Sequence, residues 1–173
     1  HAAMAMRKMG YETIIVDLVE DLYMWSDREF CKAQNIQHIG DLGYGKGYTL
    51  LGDEFFMEIS KLLALDKNVI LIFHSYNKTE KDRRGIEYTR YLPSSLIRDK
   101  LVDQIEGRLR FFLRAFAETM EDENGLLTTK RFLSLAPDGK TEYGIARGLI
   151  GEVPRAIPLE WDAFYEIASR VPE

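Results

Sequence analysis

The chain has 173 residues, 46% of them hydrophobic, with a formal net charge of −5, enough length for one sizeable core and too acidic for a surface that generally coats nucleic acid. Cys31 is the only cysteine, which excludes an internal disulfide and a cysteine-based zinc cluster and suits a reducing cytoplasm. No apolar run approaches the roughly 20 residues of a membrane span and no signal-peptide pattern is present, so a single domain over residues 6–173 is expected, with residues 1–5 read as a vector remnant and Met6 as the first native residue.

The run Ile14-Ile15-Val16 ends in Asp17 and passes directly into helical spacing. An unbroken β-branched run predicts a central parallel strand covered on both faces, and ligands in open α/β sheets bind at the carboxyl ends of such strands. Asp17 stands at that end. It could hold Mg²⁺ beside a nucleotide's phosphates, or it could only cap the helix that follows. Residues 18–33 place Leu18, Leu22, Trp25 and Phe30 at helical spacing among acidic residues, predicting an amphipathic helix. Residues 35–52 carry five glycines with Tyr44, Lys46 and Tyr48 and read as a mobile loop. Lys46 is followed by Gly47, so the phosphate-binding motif G-x-x-x-x-G-K-[ST] is not met. That loop could contact a nucleic-acid strand by stacking and charge, or serve as a flexible connector. Asp53 is then expected to cap a helix over residues 54–65, whose Phe55, Phe56, Ile59, Leu62 and Leu63 form a core stripe. Residues 68–74 are the second buried strand and end in His74. A βαβ unit of this kind puts Asp17 and His74 at one edge of neighbouring parallel strands.

The strand to Asp17, the acidic helix, Gly43-Tyr44-Gly45-Lys46-Gly47, Asp53-Glu54-Phe55 and Val69-Ile70-Leu71-Ile72-Phe73-His74 together resemble a known class. They are similar to the phage-type nucleotide-binding proteins of the RecA-like P-loop ATPases, some of which accompany single-strand annealing and recombination. The resemblance covers residues 11–170 and implies an α/β fold: a RecA-like three-layer core, its mainly parallel sheet extended by an antiparallel β-hairpin, truncated at the N-terminus. It also implies that Asp17 is the Walker B residue positioning Mg²⁺ with ATP, and that His74 senses the γ-phosphate. The phosphate-binding Walker A loop of the class lies upstream of the Walker B strand, where this chain has too few residues. The only Gly-Lys-Thr, Gly139-Lys140-Thr141, has Ser134 where the first glycine belongs and reads as a hairpin turn. Without the cradle, ATP and Mg²⁺ are not expected to bind tightly, and no turnover is expected from this chain alone.

Residues 76–91 lack apolar periodicity and read as a loop. The resemblance directs that loop towards a nucleic-acid channel, with Lys46, Lys78, Lys81, Arg83, Arg84 and Arg90 as contacts to single-stranded DNA; the alternative is an ordinary solvated loop. Pro93 and Ser94 are expected to start a helix carrying Leu96, Ile97, Leu101, Val102 and Ile105. Two strand-like runs within residues 108–136 flank Asn124-Gly125, a strong hairpin signal. Residues 142–147 are expected to add a third strand, and residues 159–170 a closing helix. In oligomeric relatives a basic residue of this region reaches a neighbouring subunit's nucleotide; Arg147 is similar to that position, with Lys140 a weaker choice. The resulting expectations are the ATP-binding core of a phage or prophage recombination ATPase, inactive by itself and homo-oligomeric when complete, or a non-catalytic RecA-like module binding single-stranded DNA or a recombination partner.

Overall fold

The computed structural model describes residues 10–136 and 145–170. Met6, Gly139-Lys140-Thr141 and residues 142–144 of the expected third strand lie outside them. The chain divides into two compact units: one reaches to Tyr76 and includes Pro93–Arg108, and the other comprises Asn77–Leu92 and the residues from Leu109 onward.

In the first unit, β1 (Thr13–Asp17) and β2 (Asn68–Ile72) pair in parallel, with Thr13 opposite Asn68 and Asp17 opposite Ile72. Parallel neighbours need a long crossover, here supplied by α1 (Val19–Gln34) and α2 (Lys46–Leu63). α1 forms where expected, but its buried face is that of Val19, Tyr23 and Phe30, with Trp25 of the predicted stripe 60% exposed, while Glu29 and Lys32 pair in solvent at 2.6 Å. It stops at Asn35, whose left-handed backbone (φ 52°) lets its N–H reach the carbonyls of Cys31 and Lys32. α3 (Asp99–Glu106) buries Leu101, Val102 and Ile105 and packs against α2, whose Leu51, Phe55 and Ile59 complete the core.

Four expectations for this unit need correction. The glycine-rich stretch is not a mobile loop: it contains a 3-10 helix (Ile39–Leu42) and the first turn of α2. His38 caps that 3-10 helix, its Nδ1 accepting from the Gly40 N–H at 3.0 Å while its own N–H donates to Asp41 at 2.9 Å. Gly47 is buried, and a β-carbon there would overlap the carbonyl oxygen of Ile39, so this glycine serves close approach and not mobility. α2 therefore starts at Lys46, leaving Asp53 exposed inside the helix instead of capping it. The last helix of the unit starts at Asp99, not at Pro93, because Ser94 adopts φ 49° and its Oγ accepts from the N–H groups of Leu96 and Ile97. Finally, the parallel pair is covered on one face only among the described residues: Ile14, Val16, Val69 and Leu71 are half-buried, whereas Ile15 (59% exposed), Ile70 and Ile72 face outward.

The second unit is antiparallel. Where a loop was expected, β3 (Ser75–Lys81) and β4 (Glu87–Pro93) form a hairpin. The turn replaces the missing periodicity as its cause. Asp82 Oδ1 accepts from the N–H groups of Arg84 (2.8 Å) and Ile86 (2.9 Å), and Gly85 supplies φ 80°. The predicted hairpin is present as β6 (Arg114–Glu121) and β7 (Leu127–Ser134), with Asn124-Gly125 in its turn.

That hairpin does not extend the parallel sheet. β9 (Ala156–Pro158) occupies the other edge of β7, and Leu133 and Leu135 pack with Ile157 and Ile167 in a separate core. A two-residue β5 (Phe111–Phe112) pairs with β8 (Ile145–Ala146), the described part of the expected third strand. α4 (Trp161–Ala168) is the closing helix and contributes Ile167 to this core.

Candidate functional site at the carboxyl ends of β1 and β2

β1 delivers Asp17 to the sheet edge, and the register opposite Ile72 brings His74, two residues further on, to the same edge. Leu18 takes the N-cap position of α1 with no side-chain cap bond, so Asp17 does not cap the helix. Both Asp17 and His74 are exposed. Among the described residues, neither side chain is committed to a hydrogen bond or ion pair.

The backbone behind them is held tightly. Glu20, in the first turn of α1, is 3% exposed, and its Oε1 accepts from the His74 N–H at 2.8 Å. The Ser94 N–H donates to the His74 carbonyl at 2.7 Å. Glu20 Oε2 is buried without a hydrogen-bond partner among the described residues. Sequence reasoning missed Glu20 because an acid in the first turn complements the helix dipole wherever it points. Its neighbour Asp21 is exposed and gives the same local signal.

The other candidates are dispersed. Lys46 is exposed in the first turn of α2, and Tyr44 is exposed beside it. The Tyr48 ring carries the Arg98 guanidinium at 4.4 Å and meets the edge of His38, so it is already occupied by contacts within the unit. Tyr48, Arg98 and His38, with Tyr23, Asp27 and Leu51, line a hollow of about 360 Å³, and Lys46 and Tyr44 are not among its lining residues. Burial pushes the Tyr23 phenol above its ordinary pKa, with Arg98 pulling the other way. In the second unit, Lys78 pairs with Glu80 at 3.0 Å and Lys81 with Glu87 at 3.3 Å. Arg90 belongs to β4, and Arg83 and Arg84 occupy the hairpin turn without an ion pair among the described residues. Arg147 follows β8, where its guanidinium donates to the Leu109 carbonyl at 2.6 Å.

No group of three or more His, Cys, Asp or Glu side chains that could hold a metal ion exists among the described residues. Magnesium favours one or two carboxylates completed by water and substrate oxygens, and the open Asp17 carboxylate fits that demand. No helix of the described residues is long and apolar enough to cross a membrane.

No curated protein and no solved structure matches the chain. Residues 2–142, well over half of its length, match the family described as the AAA domain. A parallel strand pair ending in an uncommitted carboxylate is consistent with that match, and the chain belongs to the AAA-domain family of ATPase-like, P-loop-type nucleotide-binding domains.

Proposed function

We propose that the edge carrying Asp17 and His74 is the Mg²⁺–nucleotide edge of a RecA-like ATPase core of the phage recombination type. The observation that carries this reading is that both side chains are open at one sheet edge while Glu20 and Ser94 fix the backbone of His74 from either side. A bound magnesium ion would neutralise charge on the β- and γ-phosphates. Asp17 would orient that ion through its water shell, and His74 would meet the terminal phosphate. The bare face of Ile15, Ile70 and Ile72 supports the further reading that another layer packs there. Such a layer, bearing the phosphate-binding loop, would come from outside the described residues and supply both cover and cradle. For Arg147 to reach a neighbouring copy's nucleotide it would first have to leave the Leu109 carbonyl. A non-catalytic role on single-stranded DNA is the second reading, favoured by the open Arg83 and Arg84 alone, since Lys78 and Lys81 are matched by carboxylates.

Titrating the full chain with a fluorescent ATP analogue tests the edge. Weak, Mg²⁺-dependent binding is expected, reduced roughly tenfold by Asp17→Asn, which corresponds to about 1.4 kcal/mol. Equal affinity for wild type and variant, with and without Mg²⁺, would remove Asp17 from the site. Phosphate release should not exceed a buffer control. Turnover abolished by Asp17→Ala would place a working phosphate cradle within this chain.

A further inference from the structure

The two hairpins of the second unit end in one and the same turn but present opposite charge. In the first, the Asp82 N–H donates to the Ile86 carbonyl at 2.9 Å and the Gly85 N–H to the Asp82 carbonyl at 3.0 Å. In the second, the Asp122 N–H donates to the Leu126 carbonyl at 2.9 Å and the Gly125 N–H to the Asp122 carbonyl at 3.0 Å. Asp122 Oδ1 accepts from Asn124 and Leu126 just as Asp82 Oδ1 accepts from Arg84 and Ile86. Both aspartates are thereby committed to the backbone. The tips are two copies of one shape, distinguished by their other side chains.

The β3–β4 tip is cationic. Its Glu87 is matched by Lys81, which leaves Arg83 and Arg84 exposed beside Ile86, itself 61% exposed. The β6–β7 tip is anionic. No lysine or arginine occurs between Glu121 and Leu127, so Glu121 and Glu123 stand beside Leu126 (62% exposed) and Leu127 (68% exposed). Among the described residues neither arginine nor either glutamate forms an ion pair. Large apolar side chains next to an unmatched charge of one sign, set on a fixed turn, form a surface that a complementary tip would satisfy in both respects.

We infer that the two tips are halves of one contact, in which the Arg83–Arg84 tip of one copy docks on the Glu121–Glu123 tip of another, with Ile86 packing against Leu126 and Leu127. Tips of the same kind repel, so the contact is heterologous: it propagates from copy to copy, or closes where the rotation allows. It is independent of the nucleotide reading. Its charges are solvent-exposed and screened over roughly 8–10 Å at physiological salt, so association is strongest at low salt.

Sedimentation velocity on the full chain without nucleotide tests this, using wild type, Arg83→Glu/Arg84→Glu, Glu121→Lys/Glu123→Lys and the variant combining all four changes. None of these touches Asp82, Gly85, Asp122 or Gly125. Wild type should self-associate, and more so as salt is lowered. Each double reversal should weaken association by about tenfold or more. An equimolar mixture of the two double variants should associate again, as should the fourfold variant, whose tips have exchanged charge. The neutral variants Arg83→Gln/Arg84→Gln and Glu121→Gln/Glu123→Gln should melt as wild type does while associating more weakly, which decides the matter if a reversal impairs folding. A monomeric wild type at low salt overturns the inference, as do double variants that associate like wild type. So does a monomeric, folded fourfold variant. Single-stranded DNA held through Arg83 and Arg84 by a chain that never self-associates would assign the cationic tip to nucleic acid instead. Failure here leaves nucleotide binding at Asp17 unaffected, because the assay contains no nucleotide.

Discussion

The parallel pair β1–β2 and the antiparallel trio β6–β7–β9 both place apolar strand residues against helices, but they treat the opposite face differently. On the trio, Leu133, Leu135 and Ile157 close a core with Ile167, while the opposite face carries the cross-strand pairs Phe116–Phe132 and Glu118–Lys130, the two half-buried rings stacking with their centroids 5.5 Å apart. A charged cross-strand pair beside two rings that shield each other suits an antiparallel face turned to water. On the pair, the outward positions are Ile15, Ile70 and Ile72. Among the described residues nothing covers that isoleucine face, and this separates the two sheets.

The largest expected effect breaks the comparison directly. Ile157→Ala, in the closed core of the trio, should cost about 2–5 kcal/mol in denaturant unfolding. Ile15→Ala, on the bare face of the pair, should stay within about 0.5 kcal/mol, as surface substitutions do. Equal losses at the two positions would mean that the isoleucine face is covered in solution.

A smaller effect concerns how the pair's edge is held. Glu20→Ala leaves the His74 N–H without its acceptor in a buried setting, a loss of about 1–3 kcal/mol. Glu20→Gln keeps an acceptor oxygen and should lose less. Amide exchange at His74 reads this locally: it should accelerate in the alanine variant and change little in the glutamine one. Unchanged exchange in both would show that the Ser94–His74 bond suffices to hold the edge.

The parts of the molecule legible in sequence are those whose cause is local. Leu18, Leu22, Trp25 and Phe30 announce α1 by spacing, although the face it buries is that of Val19, Tyr23 and Phe30, β1 and β2 are announced by apolar runs, and Asn124-Gly125 marks its hairpin. The twin turn at Asp82 escaped because Arg83 and Arg84 fill the places between aspartate and glycine and no apolar alternation flanks them. The shared signal is the aspartate three residues before a glycine and four before an apolar residue, visible only once both turns are seen to make the same bonds. Gly47 was misread because a glycine needed for close approach looks, in sequence, like one needed for freedom. Of the candidate site, Asp17 and His74 were legible by position, whereas Glu20 was not. Its partner is a backbone amide in a strand reached only through the whole crossover, and no local pattern encodes that contact.

The smallest expected effect sharpens the comparison by reporting on one unit at a time. Cys31, the only cysteine, lies on α1 in the first unit, so its thiol reports on that unit. Burial pushes its pKa above the ordinary value, and Asp27 adds to this through its charge and by accepting the Cys31 S–H at 3.6 Å. The thiolate is the reactive form, so alkylation at mildly alkaline pH should be slower in the folded chain than in urea, and Asp27→Asn should accelerate it by roughly threefold to tenfold. The sign of the pH dependence follows. A folded pKa raised above the unfolded one contributes stability that is fully present below the unfolded pKa and is lost as pH rises through the folded pKa. Tyr23 is shifted the same way, chiefly by burial. Raising the pH through the thiol and phenol ranges should therefore open the first unit before the second, seen as faster amide exchange at Val19 and Tyr23 than at Leu135 and Ile157 after correction for intrinsic rates. If the Leu135 and Ile157 amides open first, or Asp27→Asn leaves the alkylation rate unchanged, then burial and Asp27 do not set the alkaline limit of the first unit.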